Sequence, residues 1–375
     1  MLRIGITGQN GFIGKHLYNF LGLQQDVQRI KFEQHFFQEE MFLREFVKQC
    51  DVIVHLAALN RHNDPDRLFK TNIELVRKLV DAMTAEGVRP HVIFSSSTQE
   101  ERENYYGRSK REGRRIFENW SLKNNTELNS LIIPNVFGPF GRPYHNSVIG
   151  TFSYQLTHNE LPKIDIDGKL NLIYIDELVA EIWKIIKEKS EKKVINIAPT
   201  TEAKVSELLT LLESFKLRYF ENYIIPELKN KFELNLFNTF RSHIDHAGFF
   251  PVALKTNNDN RGTFVEVIKS LSGGQFSFSS TRTGVTRGNH FHTRKIERFI
   301  VIKGKAIIRL RKIGTDDILE FELNGEKPSF VDMPVWYTHN ITNVGDNELL
   351  TLFWINEFFD PEDDDTFFSG VAQDN

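Results

Sequence analysis

The sequence predicts an α/β domain built on a doubly wound parallel sheet, followed by an all-β domain, and three observations carry that prediction. The chain has 375 residues, more than the roughly 250–300 at which a single hydrophobic core usually stops growing. Up to about residue 240, short apolar strands alternate with amphipathic stretches, the pattern of a parallel sheet covered by helices. From Gly262 onward, β-rich segments are divided by Gly, Asn and Asp turns without helical periodicity of comparable length, the pattern of a barrel or sandwich.

In chain order, Arg3–Thr7, Val27–Lys31, Asp51–Ala57, Val92–Ser95 and Ser130–Pro134 read as the strands of the first domain. Asp51–Ala57 is almost continuously apolar, as a central strand covered on both faces should be. In the second domain the strands are Thr263–Ile268, Gln275–Ser280, Arg298–Lys303, Ala306–Arg311 and Glu348–Trp354. The change of pattern falls near residues 243–250 with no Pro- or Ser-rich linker, so the expected domains are 1–245 and 246–375. The acidic run Glu362-Asp363-Asp364-Asp365 reads as a solvated end.

Composition narrows the function classes. With 47 basic and 50 acidic residues the formal charge is −3, which gives no electrostatic reason for nucleic acid or an anionic membrane as partner. One cysteine, Cys50, excludes an internal disulfide and fits a reducing compartment; beside an apolar strand it reads as a buried structural thiol. Met1–Gly8 runs straight into a strand and a glycine turn, and no apolar stretch approaches the roughly 20 residues that span a bilayer. A cytoplasmic protein without membrane insertion is expected.

Gly8-Gln9-Asn10-Gly11-Phe12-Ile13-Gly14 follows the first strand and opens a helical stretch. Glycines there let the backbone approach a pyrophosphate at a helix N-terminus, the arrangement of a Rossmann-type dinucleotide fold, though glycine spacing alone also fits a tight strand-to-helix turn. Gly8, Gly11, Phe12, Ile13 and Gly14 are therefore the first candidate cofactor-binding residues. Where NAD-specific sites place an acidic residue, the second strand ends in Arg29 and Lys31, which suits a 2′-phosphate on one or other of them and favours NADPH, although both also fit ordinary surface charges. Tyr106 and Lys110 stand four apart, hence on one face of a helix. A tyrosine there can protonate the oxygen formed as hydride reaches a carbonyl, and a neighbouring ammonium can lower its pKa and hold the nicotinamide ribose. Ser95, Ser96 and Ser97 end the preceding strand with hydroxyls able to reach a substrate carbonyl, or to serve as turn residues.

At this point the first 240 or so residues resemble the extended short-chain dehydrogenase/reductases that act on nucleotide sugars. The resemblance assigns Gly8, Gly11 and Gly14 to the glycine turn, His55-Leu56-Ala57-Ala58 to the strand end beside the cofactor, with Leu56 and Ala57 as contacts, and Ser97, Tyr106 and Lys110 to the catalytic set. Ser96 remains the alternative to Ser97, because the family's Val-Tyr-Gly turn is replaced by Gln99-Glu100-Glu101. Pro134–Pro139 and Leu172–Leu178 look like segments that such enzymes place near the sugar nucleotide.

In the second half, His290 and His292 are two apart and would point the same way on a strand, and Glu297 and His339 could complete a metal shell. Zinc accepts imidazole nitrogen and carboxylate oxygen. The five-residue step from His292 to Glu297 has the wrong parity for one straight strand, so it demands a turn or bulge through Thr293-Arg294-Lys295. Gly284, His290, His292, Glu297 and Gly304, then Pro334, His339 and Asn343, resemble the two cupin motifs, which implies a small jelly-roll barrel with His290, His292, Glu297 and His339 around a metal. Trp336 stands where the second motif usually has glycine. Asp259–Phe264 and Arg287–His290 also look like segments of cupin-fold deoxysugar epimerases, with Tyr337, Lys295 and Lys303 as candidate proton carriers.

A proton beside a ketone is removable only while the ketone exists and its enolate is stabilised, so epimerisation must precede reduction. The domain pairing resembles a family of bifunctional capsular polysaccharide enzymes. It implies C3 epimerisation of a UDP-2-acetamido-2,6-dideoxy-4-hexulose in the cupin and NADPH reduction at C4 in the first domain. The product is then a UDP-N-acetyl-6-deoxy-L-talosamine-type sugar on the way to an L-FucNAc precursor, and family habit suggests a homodimer. The competing expectations are a 4,6-dehydratase or C4 epimerase that recycles its nucleotide, and a non-catalytic NADP-sensing or sugar-binding regulator.

Overall fold

The computed structural model describes residues 1–372 and divides into two compact units: Met1–Val148 with Ile166–Val205, and Ile149–Asp165 with Ser206–Asn375. Among the described residues no helix is long and apolar enough to cross a membrane.

The first unit is the expected Rossmann-type layer structure. Strands β1 (Leu2–Thr7), β2 (Val27–Ile30), β3 (Val52–His55), β4 (His91–Ser97), β5 (Leu128–Ile133), β6 (Asn135–Phe137), β7 (Lys169–Tyr174), β8 (Val194–Asn196) and β9 (Thr201–Lys204) are joined mainly by helices α1 (Phe12–Leu21), α2 (Glu40–Gln49), α3 (Pro65–Ala85) and α4 (Tyr105–Asn124). Six strands form one parallel sheet in the order β2-β1-β3-β4-β5-β8, and β6, β7 and β9 form a small second sheet. The order reverses between β1 and β3, so a crevice opens beyond their carboxyl ends, where ligands bind in open α/β sheets. The sequence gives these strands their place: Val52, Ile53 and Val54 are buried between helix layers, and Phe46, Leu79, Met83, Phe94 and Phe117 form one core cluster with Ile53. Fully burying a side chain of this kind contributes about 1.5–3 kcal/mol, which fixes the strand ends that carry the site.

The second unit contains the jelly-roll barrel. One five-stranded sheet runs in the order Val252–Ala253, Ser329–Met333, Glu297–Lys303, Leu349–Ile355, Gln275–Thr281; the other runs Ile318–Asn324, Lys305–Lys312, Tyr337–Asn343, Thr286–Phe291, Phe367–Phe368. Every pairing in both is antiparallel. Ile300, Val301, Ile308, Leu310, Phe330, Val331 and Leu349 form its core.

Residues 206–245 pack within this second unit. Arg298 and Asp332, both nearly unexposed, form a two-pronged pair at 2.7 and 2.9 Å, Tyr219 donates to Asp332 at 2.7 Å, and Arg241 donates to the Met333 carbonyl at 3.0 Å. Helix Lys231–Arg241 and the turn around Tyr219 are thereby bolted to the barrel strand next to Glu297.

Candidate active site and metal centre

In the first unit the glycine turn is built by close approach of backbones. Gly8 has φ +77° and lies so near Ala57 that an added Cβ would stand 2.8 Å from the Ala57 nitrogen; a Cβ on Gly14 would meet the Gly8 carbonyl oxygen at 2.3 Å. Gly11 precedes the first residue of α1, and Phe12 and Ile13, both half-buried, open the helix whose N-terminus faces the crevice. Leu56 continues from β3 by donating its N–H to the Thr7 carbonyl at 3.1 Å, which sets Leu56 and Ala57 beside the turn. These predicted cofactor residues are thus brought together.

Arg29 is not brought to them. Its guanidinium donates to the Tyr18 carbonyl at 3.0 Å and stacks 4.2 Å over the Tyr18 ring, in the C-terminal half of α1 and away from the glycine turn. The cause is local: β2 runs alongside α1, and a long side chain near the strand's end reaches the helix surface first. Lys31, just past β2, is exposed and pairs with Glu33 at 2.6 Å.

Tyr106 and Lys110 occupy one face of α4, with the Lys110 ammonium 5.7 Å from the Tyr106 ring centroid. Lys110 is buried and donates to the Ser95 carbonyl at 2.8 Å. Burial lowers its pKa to about 8, although Glu100 opposes the shift. Burial raises the Tyr106 phenol to about 12, opposite to the expected lowering by the ammonium. With the ammonium tied to a backbone carbonyl rather than to the phenol oxygen, desolvation decides the direction.

The three serines have different engagements. Ser95 donates to the His55 carbonyl at 3.1 Å, and Ser96 donates to the buried Glu100, which accepts a two-pronged pair from Arg114. Ser97 is half-buried and accepts from the Gln99 N–H at 3.2 Å, leaving its own proton to donate. The departure from the family turn therefore folds into a short 3₁₀ helix, Thr98–Glu101, anchored through Glu100.

A cleft of about 690 Å³ adjoins Tyr106, lined also by Asn60, Arg61, His62, Gln99 and His145. Sequence reasoning missed Asn72 altogether. Its buried amide holds both the N–H and the carbonyl of Leu59, at 2.7 and 3.0 Å, and donates to Ser109 at 3.0 Å, tying the loop after β3 to the helix of Tyr106. Its only sequence signal is a polar residue on the apolar face of α3. Gly107, next to Tyr106, is equally constrained, since a Cβ there would stand 1.9 Å from the Gln99 carbonyl oxygen. Gly107→Ala should therefore displace the start of α4, costing about 1–3 kcal/mol of stability by overpacking and at least tenfold in reduction rate. Thermal unfolding and NADPH oxidation, measured on the same preparation, check this.

In the second unit His290, His292, Glu297 and His339 each present one donor atom, and the four lie within 4.8 Å of one another. A bulge at Gly288 and Asn289, the latter with φ +61°, turns His290 inward; the demanded turn between His292 and Glu297 occurs through Thr293 and Arg294. Glu297 Oε2 lies 3.1 Å from both His292 Nε2 and His339 Nε2, and these three buried atoms have no hydrogen-bond partner among the described residues. The other nitrogens of His292 and His339 face the Asp365 and Tyr337 carbonyls, at 2.6 and 3.2 Å. A carbonyl only accepts, so Nδ1 carries the proton and Nε2 turns a lone pair toward the centre. Donors about 2.0–2.1 Å from a tetrahedral metal stand about 3.3 Å apart, close to the two 3.1 Å separations here, and three imidazoles with one carboxylate are a donor set of the kind that holds a divalent cation of the zinc type.

Trp336 takes φ +62°, so the turn keeps the left-handed residue that glycine usually supplies, and its ring stacks on Phe291 at 5.5 Å. Of the candidate proton carriers, Tyr337 is near His339 in sequence and its phenol is raised to about 12 by burial. Lys295 is engaged with the Asp364 carbonyl. Lys303 sits six residues along the strand from Glu297, about 20 Å at strand rise, and is outside the cluster.

The model of the NAD dependent epimerase/dehydratase family matches residues 4–198, and that of the polysaccharide biosynthesis C-terminal domain matches residues 257–367. The chain is 32% identical, over 99% of its own length and 100% of the relative's, to a UDP-2-acetamido-2,6-beta-L-arabino-hexul-4-ose reductase of Pseudomonas aeruginosa. Among solved structures it is similar to the capsular polysaccharide assembling protein CapF of Staphylococcus aureus, with 34% identity, 99% and 100% coverage of the two chains and a TM-score of 0.63. The RMD protein of Pseudomonas aeruginosa complexed with NADPH shares the fold of the first part, at 20% identity, 58% and 83% coverage and a TM-score of 0.53. The chain is an enzyme and belongs to the NAD dependent epimerase/dehydratase family, joined to a polysaccharide biosynthesis C-terminal domain.

Proposed function

We propose that this enzyme takes a UDP-linked 2-acetamido-2,6-dideoxy-4-hexulose, inverts C3 in the barrel and then reduces the C4 ketone with NADPH in the Rossmann-type domain. The product is a UDP-N-acetyl-6-deoxy-L-talosamine-type sugar for capsular polysaccharide synthesis. The observation that carries the reading is one chain holding both the Tyr106–Lys110 face and the four-donor cluster, along a full-length similarity to a UDP-keto-sugar reductase and to CapF. In this reading the barrel's own chain begins near residue 246.

At the reductase site the backbone of Gly8, Gly11 and Gly14, with Phe12 and Ile13, would hold the cofactor pyrophosphate, with Leu56 and Ala57 beside it, and Lys31 would be the nearby cation for a 2′-phosphate, since Arg29 is engaged with Tyr18. Reduced nicotinamide, when bound, supplies the hydride. Ser97 donates a hydrogen bond to the C4 carbonyl oxygen, and Tyr106 delivers its proton to that oxygen as it becomes a hydroxyl. A phenol kept protonated by burial is ready for that donation at neutral pH. Lys110 orients the ribose and then favours the phenolate that remains.

In the barrel His290, His292, Glu297 and His339 would hold the cation. When bound, the cation supplies Lewis-acid stabilisation of charge on the ketone oxygen next to the acidic C3–H. His292 and His339 are locked in orientation by the backbone carbonyls on their outer nitrogens, which keeps the donor set assembled.

Cofactor stoichiometry tests the reading. One NADPH is expected to be oxidised per product formed, whereas turnover of the keto sugar without net oxidation would point to a dehydratase or C4 epimerase that recycles its nucleotide. Ligand binding without any turnover would point to a regulator. Reduction should also fall as pH rises through about 8, because the Lys110 pKa is depressed and the ammonium is present below that value and lost above it. Glu100, His55 and Tyr106 are the titratable neighbours; Tyr106 keeps its proton to about 12 and His55 is neutral above about 3, so the limb belongs to Lys110. The pH profile of kcat/KM for wild type and Lys110→Arg, in which the limb should vanish, checks it.

A further inference from the structure

The acidic run near the end of the chain is not uniformly solvated. Glu362, Asp363 and Asp364 are exposed, but Asp365 is buried, with φ +46°. Its carboxylate accepts from the Thr293 N–H at 3.1 Å, the Thr293 hydroxyl at 2.6 Å, the Arg294 N–H at 3.0 Å and the Lys295 N–H at 3.0 Å. Its own carbonyl accepts from His292 Nδ1 at 2.6 Å. Thr293, Arg294 and Lys295 form the turn that joins His292 to Glu297, so one residue 68 positions downstream of Glu297 grips both the turn between two candidate ligands and the ring of one of them.

Resting on the metal reading above, we infer that Asp365 is a positioning residue for the metal centre, and that the C-terminal segment around it is a strap that shapes the donor set. Three adjacent N–H groups of a tight turn converge on one point and need an anion there. The carboxylate supplies it and sets the path of the chain between His292 and Glu297. The Asp365 carbonyl independently selects the His292 tautomer with its Nε2 lone pair toward the centre. The neighbouring contacts continue the strap: Asp363 pairs with Arg294 at 2.9 Å, Phe367–Phe368 add an antiparallel strand beside His290–Phe291, and the Ser369 N–H donates to the Asn289 carbonyl at 2.9 Å. The left-handed backbone of Asp365 lets its side chain and its carbonyl reach the same turn, a local strain that these contacts offset.

The test uses the full chain, stripped with a chelator and reloaded. Zinc affinity is measured by competition with a chromophoric chelator, and the visible spectrum of the cobalt(II)-loaded protein reports donor geometry. Asp365→Asn keeps the backbone carbonyl and the side-chain size but turns an amide N–H₂ toward N–H donors. It should weaken zinc by about 10–100-fold and change the cobalt spectrum. Should that variant fail to fold, Thr293→Val, which removes one hydroxyl donor to the same carboxylate, should give a smaller loss in the same direction. A folded Asp365→Asn, or a folded Thr293→Val, with wild-type affinity and an unchanged cobalt spectrum overturns the inference, even if its metal-free melting temperature falls. A wild-type chain that takes up no zinc or cobalt instead overturns the metal reading on which it rests.

Discussion

Tyr106→Phe is expected to lower NADPH-dependent reduction of the keto sugar by about 10²–10⁴-fold while leaving exchange of the C3 proton with solvent intact. The substitution keeps the ring that packs near Lys110 on α4 and removes only the phenol oxygen, so the helix and the Lys110 contact to Ser95 should persist. The remaining residual rate would reflect cofactor and substrate positioning, with water as the proton source. Absorbance of NADPH gives the first readout, and loss of deuterium or gain of solvent hydrogen at C3 gives the second. Joint loss of both activities would contradict two separate chemistries.

The mirror-image result is expected of His290→Ala. His290 is the most accessible of the four donors, so its loss should spare the barrel core of Ile300, Ile308, Leu310 and Val331. Removing a direct donor should cost more than the 10–100-fold typical of losing an outer partner, so the purified variant should carry little metal. C3 exchange should disappear, while a ketone supplied with C3 already inverted should still be reduced at close to the wild-type rate. Metal content by elemental analysis and the two activities, measured on one preparation, decide it. Retained exchange in a metal-free variant would place the epimerisation chemistry elsewhere.

Much of this was legible in the sequence because the determining interactions are local or periodic. Val52–His55 announces a central parallel strand by continuous apolarity, and the glycine turn, the Tyr106–Lys110 spacing and the His290–His292 pair are set by short-range geometry, while His339 joins the cluster of possible metal donors by pairing of its strand with that of His290. The parity mismatch between His292 and Glu297 foretold a turn, which is present. The features that were not legible depend on partners far along the chain. Asp365 looks like its exposed neighbours until Thr293, Arg294 and Lys295 are folded against it. Arg29 has the residue type of a phosphate ligand, yet its direction is set by the Tyr18 ring and carbonyl. Asn72 reveals its role only through Leu59 and Ser109. Residues 206–245 show amphipathic helices, but periodicity names a buried face without naming the sheet that buries it; Arg241 and Tyr219 give that answer through Met333 and Asp332.

Whether one chain performs epimerisation and then reduction is decided by incubating the enzyme with NADPH and the UDP-linked 4-hexulose in deuterated water. NADPH absorbance and product deuteration are followed together. One NADPH oxidised per product and deuterium from solvent at C3 of that product are expected. Oxidation of NADPH with C3 still carrying its original hydrogen would contradict it, leaving a reductase whose barrel serves another purpose.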